Sequence, residues 1–269
     1  MEVPVKGSGG RSKTELGSSR SVLLFRELTR GALSELCPRA LVVLPVGAIE
    51  QHGPHLPVGT DSLIVEHVAH GAAARAAGEV PVLLAPTLSF GSSHHHLPWT
   101  GALSLSSAAF LEAASDLVSS LCTGGFRRIF LLNGHGGNEE LLQVVARDTA
   151  LEQPVHLAAG AYWTIAREAL ARLEAVDTQL VPGHAGYFET SIVLALRPDL
   201  VGDPPSRDEI PSPEPSYRLE SDGAWERIEG WTDSPKEASA AQGETILEVI
   251  ITELAAALVD FYRRTEAAT

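Results

Sequence analysis

Residues 40–62 read ALVVLPVGAIEQHGPHLPVGTDS. The first seven are an unbroken apolar run, short enough to be a strand buried on both faces. Gly47, Gly53, Pro54 and Gly59 then break the chain into a loop, and an Ala-rich helical pattern runs over 62–77. Outward from here the same alternation recurs. Residues 80–85 are a second strand candidate, and 105–122 read as a helix stopped by Thr-Gly-Gly. Residues 128–132 (RIFLL) form another buried run, 139–151 a helix, 154–159 a strand and 164–173 a helix. Strand alternating with helix predicts an α/β fold, a mainly parallel sheet covered by helices on both faces. In the last helix Leu247, Ile250, Ile251, Leu254 and Leu258 make one apolar stripe for packing on the sheet.

Composition narrows the function classes. The 269 residues are 44% hydrophobic and 20% charged, as in a globular protein. The formal net charge of −14 repels phosphate backbones and anionic membranes, so neither nucleic acid nor a membrane is expected as a partner. The chain lacks an apolar run of ~18 residues and an apolar leader at its start, and it has two cysteines, so a cytoplasmic location is expected. Residues 1–20, rich in Gly, Ser and charge, are expected to be a flexible tail, with one domain over 21–269. The Pro-rich stretch over 202–242 breaks the rhythm as a long loop.

Polar residues gather at the strand ends, where open α/β sheets bind ligands. Glu50, His52 and Asp61 follow the first run and form a carboxylate–imidazole set suited to Zn²⁺, Mn²⁺ or Fe²⁺. On spacing alone, Asp61 serves equally as a helix N-cap and His52 as a loop histidine. His135 sits in Asn133-Gly-His-Gly-Gly-Asn138, whose glycines allow close backbone approach. It carries neither dinucleotide nor phosphate-loop spacing. His184 and Glu189 form a third cluster, in which Glu189 also suits a helix N-terminus. The fourth stretch holds Ser92, Ser93, His94, His95, His96 and Trp99. In an extended chain neighbours alternate, so one of the three histidines at most faces a site. Trp99 suits a pocket wall or the core, and His55, His67, His70 and His156 receive no role.

In this order, LPVGAIEQHGPHLPVGTDS, FGSSHHHLPWTGALSLS, LLNGHGGNEE and HAGYFETSIVL resemble the creatininase family of metal-dependent amidohydrolases. The resemblance runs from about Leu41 to the last helix. It implies a three-layer α/β/α fold with a mainly parallel sheet, a homo-oligomer, with hexamers common in the family, and two divalent metal ions per subunit, Zn²⁺ and/or Mn²⁺, with Fe²⁺ also compatible. Carried over, Glu50 and His135 hold one metal, His52 helps hold the other, Asp61 bridges both and His184 transfers protons. Ser92, Ser93, His96, Trp99 and Gly136 are the expected substrate-binding residues. Two departures stand out. Creatininase proper has a metal-ligating Glu where this chain has Gly137, and Glu189 is the candidate to replace it. The residues before His184 lack the family's Trp-Asp pair and Glu, which argues against creatinine as substrate.

The expected activity is therefore hydrolysis of a C–N bond, in a small cyclic amide or formamide, by a metal-bridging hydroxide. The NGHGGN and HAGxxETS forms resemble two branches of the family, the formamidopyrimidine-type deformylases and the mycofactocin precursor peptidase, and a small-peptide amidohydrolase like the latter is one alternative. A reading of another class is a non-catalytic metal-binding assembly subunit.

Overall fold

The computed structural model describes residues 22–174, 176–206 and 221–266. The tail expected over 1–20 and the middle of the Pro-rich stretch lie outside these residues. In chain order the elements are β1 (Leu23–Leu24), α1 (Arg30–Leu36), β2 (Leu41–Val46), α2 (Thr60–Ala76), β3 (Val82–Leu84) and α3 (Ser107–Thr123). They continue with β4 (Arg128–Asn133), α4 (Glu139–Glu152), β5 (His156–Ala161), α5 (Tyr162–Ile165) and α6 (Arg167–Leu170). The last are α7 (Tyr187–Leu196), α8 (Ala224–Arg227) and α9 (Ala240–Glu266). Among the described residues the strands form one sheet, ordered β1-β3-β2-β4-β5, with every pairing parallel.

Alternation along β2 builds the layers. Leu41 and Val43 face a core shared with α2, α7 and α9, while Val42, Leu44 and Val46 face a core shared with α3 and α4. Burial on both faces is why β2 and β4 read as unbroken apolar runs rather than alternating ones. α9 places Ile246, Ile250, Leu254 and Leu258 fully inside the first core. Each such side chain contributes about 1.5–3 kcal/mol relative to exposure.

The register positions the site. β2 and β4 pair along their whole length, from Leu41 opposite Arg128 to Val46 opposite Asn133. Their C-terminal ends therefore lie side by side. β2 then leads to α2 on one face and β4 to α4 on the other. Such a divergence opens a crevice beyond the strand ends, the usual ligand position in open α/β sheets.

Three details differ from the sequence expectations. The helix expected over 164–173 is two short helices that break at Ala166, whose ψ of 0° departs from helical geometry. The Pro-rich stretch already gives way to α9 at Ala240, and it contains the short helix α8. β1 and α1 had no counterpart in the reading. Among the described residues no helix is long and apolar enough to cross a membrane.

Candidate metal centre

The loop after β2 carries Glu50 and His52 into the crevice, and the loop after β4 carries His135. Asp61 lies in the first turn of α2. Gly59 holds the N-cap position there, so Asp61 is not the cap. Glu189 lies in the first turn of α7, where its carboxylate accepts a 2.6 Å hydrogen bond from the Ala185 N–H. His55 braces the assembly from behind, with Nε2 2.8 Å from Thr190 Oγ1 and its carbonyl accepting from Gly202 N.

Asp61 is shared by two clusters. Its Oδ1 lies 3.1 Å from His52 Nε2 and its Oδ2 3.2 Å from His135 Nδ1. Glu50 Oε2 is 3.3 Å from the same His135 nitrogen, and Glu189 Oε2 is 3.8 Å from the same His52 nitrogen. Glu50, Asp61 and His135 thus converge on one point, and His52, Asp61 and Glu189 on a second. Within each trio the ligand atoms lie within 4.8 Å of one another, and every member is buried.

Backbone carbonyls fix both rings. His52 Nδ1 lies 3.2 Å from the Glu50 carbonyl and His135 Nε2 3.1 Å from the Ser92 carbonyl, so these nitrogens donate. The other nitrogen of each ring faces the carboxylates. Among the described residues no hydrogen bond reaches either oxygen of Glu50 or Oδ2 of Asp61. Buried anionic oxygens without donors are costly unless something cationic meets them. Carboxylates and imidazoles at this spacing, each ring anchored through its second nitrogen, fit divalent cations of the Zn²⁺ or Mn²⁺ type.

Burial opposes charge on every group, and the neighbours decide the outcome. Burial pushes the Glu50 carboxyl up, but the imidazoles of His135, His184 and His96 together hold it well below the usual range. Burial lowers His52, yet Asp61, Glu189 and Glu50 carry it to about 10. His135 is held well above its ordinary value by Glu50 and Asp61 against the same burial. Glu189 rises to about 8, through burial first and then the like charges of Asp61 and Glu50, although His52 and the Ala185 N–H oppose the rise. Burial takes His96 down to about 3 and, with help from His52 and His96, takes His184 well down.

A wall of rings closes one side. His184 Nε2 lies 2.8 Å from the Gln51 carbonyl and donates to it, and its Nδ1 stands 3.6 Å from Glu50 Oε1. His96 stacks on His184, 4.3 Å between centroids, with its Nε2 3.4 Å from Glu50 Oε1. His94–His96 form a 3-10 turn, not an extended run. That turn brings two of the three rings inward, since His95 stacks on His135 at 5.7 Å. Trp225, on α8, meets the edges of His96 and His184 at 4.7 and 5.2 Å and was missed. Aperiodic Pro-rich sequence gave no signal for it beyond the aromatic residue itself.

The remaining expected residues are placed unevenly. Ser93 Oγ is 3.3 Å from His135 Nε2, whereas Ser92 Oγ turns to Ser107 and only the Ser92 carbonyl touches His135. Trp99 lies behind His96, 6.1 Å between rings. A Cβ at Gly136 would meet nothing within 4 Å, but one at Gly137 would lie 2.3 Å from the Ser92 carbonyl and 2.6 Å from His135 Nε2. No side chain can project there without moving the loop.

An open parallel sheet that gathers buried carboxylates and imidazoles at diverging strand ends defines a class: α/β proteins equipped to carry divalent cations beyond their strands. The pattern described as "Creatininase: Creatinine amidohydrolase" matches residues 26–258, and the chain belongs to the creatininase family. It is 33% identical over 241 residues to the creatinine amidohydrolase of Pseudomonas putida, covering 81% of this chain and 88% of that protein. It is 32% identical over 223 residues to a mycofactocin precursor peptide peptidase of Mycolicibacterium smegmatis, covering 78% and 81%. A solved manganese creatininase superposes with a TM-score of 0.73 at 29% identity, covering 88% of this chain and 98% of that one.

Proposed function

We propose that the chain is a metal-dependent amidohydrolase that cleaves the C–N bond of a small cyclic amide or formamide. The observation that carries the reading is Asp61, whose two oxygens each serve a separate buried trio. Glu50, Asp61 and His135 would hold one divalent cation, and His52, Asp61 and Glu189 the other. When bound, such ions acidify water and polarise a carbonyl, the needs of amide hydrolysis. The manganese relative supports the same metal class.

The chain's own residues supply the proton path. His184 keeps its Nε2 hydrogen on the Gln51 carbonyl, so Nδ1 is the atom that would take a proton from the attacking water and pass it to the leaving nitrogen as the C–N bond breaks. Without that proton the departing amide anion is too basic to leave. Burial, with His52 and His96 beside it, holds His184 in its neutral form, which leaves the Nδ1 lone pair free, and the Trp225 ring packs edge-on against it.

The peptidase reading is favoured by the likeness to the mycofactocin precursor peptide peptidase and by the open space beside Gly136. The test is turnover of cyclic amides, formamides and short peptides by the Zn²⁺- or Mn²⁺-loaded chain, beside His184→Ala. The variant is expected to keep its metal and lose about 10²–10⁴ in kcat. Cleavage confined to peptides would select the peptidase reading. Full activity in His184→Ala would remove that residue from the mechanism, and no turnover at all would leave the scaffold reading.

A further inference from the structure

We propose that Gln51 is a positioning residue that sets the hydrogen positions of two imidazoles, so that His96 offers the centre an N–H at Nε2 and His184 a lone pair at Nδ1. The kinetic part of this inference rests on the hydrolase reading above; the hydrogen positions do not.

Two backbone groups orient the Gln51 carboxamide. The Gly53 N–H can only donate, and it lies 2.9 Å from one terminal atom, which is therefore Oε1. The Gly230 carbonyl can only accept, and it lies 2.8 Å from the other, which is therefore Nε2. One hydrogen of Nε2 is spent on Gly230. Within reach of the second are His96 Nδ1 at 2.9 Å and His184 Nε2 at 3.0 Å. His184 Nε2 is already the donor to the Gln51 carbonyl. The second hydrogen accordingly goes to His96 Nδ1, which must be bare. The His96 hydrogen is left on Nε2, in a residue only 1% exposed, and among the described residues no hydrogen bond uses it.

Once a cation displaces their inward protons, His52 presents a bare Nε2 and His135 a bare Nδ1, and His184 presents a bare Nδ1 without one. His96 is the exception. That N–H faces Glu50 Oε1 at 3.4 Å, at the edge of the centre. With Glu50 engaged by a cation, a buried N–H there is a donor of the kind that stabilises a developing oxyanion. His96 transfers no proton in this role.

Gly230 makes the clamp fit. Its φ is +70°, and a Cβ there would lie 2.7–2.8 Å from the Gln51 carboxamide atoms. The same glycine holds the segment bearing Trp225 against the centre.

The test is long-range ¹H–¹⁵N NMR of the zinc-loaded chain labelled at histidine nitrogens, with His96 assigned through His96→Gln. The expected spectrum shows His96 protonated at Nε2 and bare at Nδ1, and His184 protonated at Nε2. In Gln51→Met, His96 should lose its single tautomer and kcat should fall roughly tenfold to a hundredfold, with zinc content and KM little changed. Gly230→Ala should shift the same signals through a different residue. His96 protonated at Nδ1, a His96 nitrogen bound to zinc, or a tautomer unmoved in Gln51→Met would overturn the proposal. The two readings fail separately. The expected tautomers without amide turnover would overturn only the hydrolase, and turnover with the opposite tautomer only the role of Gln51.

Discussion

A single methyl group at residue 137 probes how tightly the loop after β4 closes on the centre. In Gly137→Ala the new Cβ would lie 2.3 Å from the Ser92 carbonyl oxygen, 2.6 Å from His135 Nε2 and 3.1 Å from His95 Cε1. Relaxed contacts start near ~3.5 Å, so the loop must open by about 1 Å. The obstacles cannot simply rotate away, because one is backbone and the His135 ring is hydrogen-bonded to it. Overpacking costs about 1–3 kcal/mol, and rigid obstacles place this case near 2–3 kcal/mol. For a chain of this size the expected drop in Tm is roughly 4–12 °C. Gly136 is the internal control. A Cβ there meets nothing and its φ is not left-handed, so Gly136→Ala should be neutral or stabilising by up to about 1 kcal/mol. The assay is thermal unfolding of both metal-free variants beside the wild type, with metal content after loading. Gly137→Ala should also load less metal, since opening the loop displaces His135. Equal, small shifts for the two neighbours, with metal content intact, would refute the closed-loop reasoning.

Protons and metal should compete. Metal-free, His52 and Glu189 have values near 10 and 8, so both are protonated at pH 7 and a cation must displace both. Titration calorimetry in buffers of different ionisation enthalpy should show proton release, and affinity should rise up to about a hundredfold per pH unit below pH 8. No proton release would contradict the ligand assignment. The sign for stability is the reverse. Because these values stand above the ordinary 6.5 and 4.5, the two groups stabilise the metal-free fold most at low pH. That contribution is lost as pH rises through 8 and 10, so the metal-free Tm should fall there more than that of the loaded chain. Trp225→Ala removes the ring edge against His96 and His184 and should lower kcat/KM roughly tenfold with metal content unchanged. An unchanged kcat/KM would show that α8 does not shape the pocket.

Much of the frame was legible because burial writes itself into sequence. β2 and β4 are buried at all six positions each, and continuous apolar runs betray such strands. β1 is two residues long, too short for any period to register. Glu50, His52 and His135 follow those runs directly, so their place at the strand ends could be read. Glu189 could not be placed by spacing, since the fold of α7 decides whether its first turn meets Asp61. The His94–His96 run misled because alternation holds for extended chain and not for a 3-10 turn. Gln51 received no reading from the sequence. Its partners are Gly53, His96, His184 and Gly230, groups that the tertiary fold alone brings to one carboxamide.

The central claim is that Asp61 joins two cation positions, one of them completed by Glu189 in place of a side chain that Gly137 excludes. Elemental analysis of metal per subunit, for the wild type and Glu189→Ala after reconstitution with Zn²⁺ or Mn²⁺, tests it most directly. The account predicts about two ions in the wild type, falling towards one in the variant. One ion or none in the wild type, or two ions retained without Glu189, would contradict it.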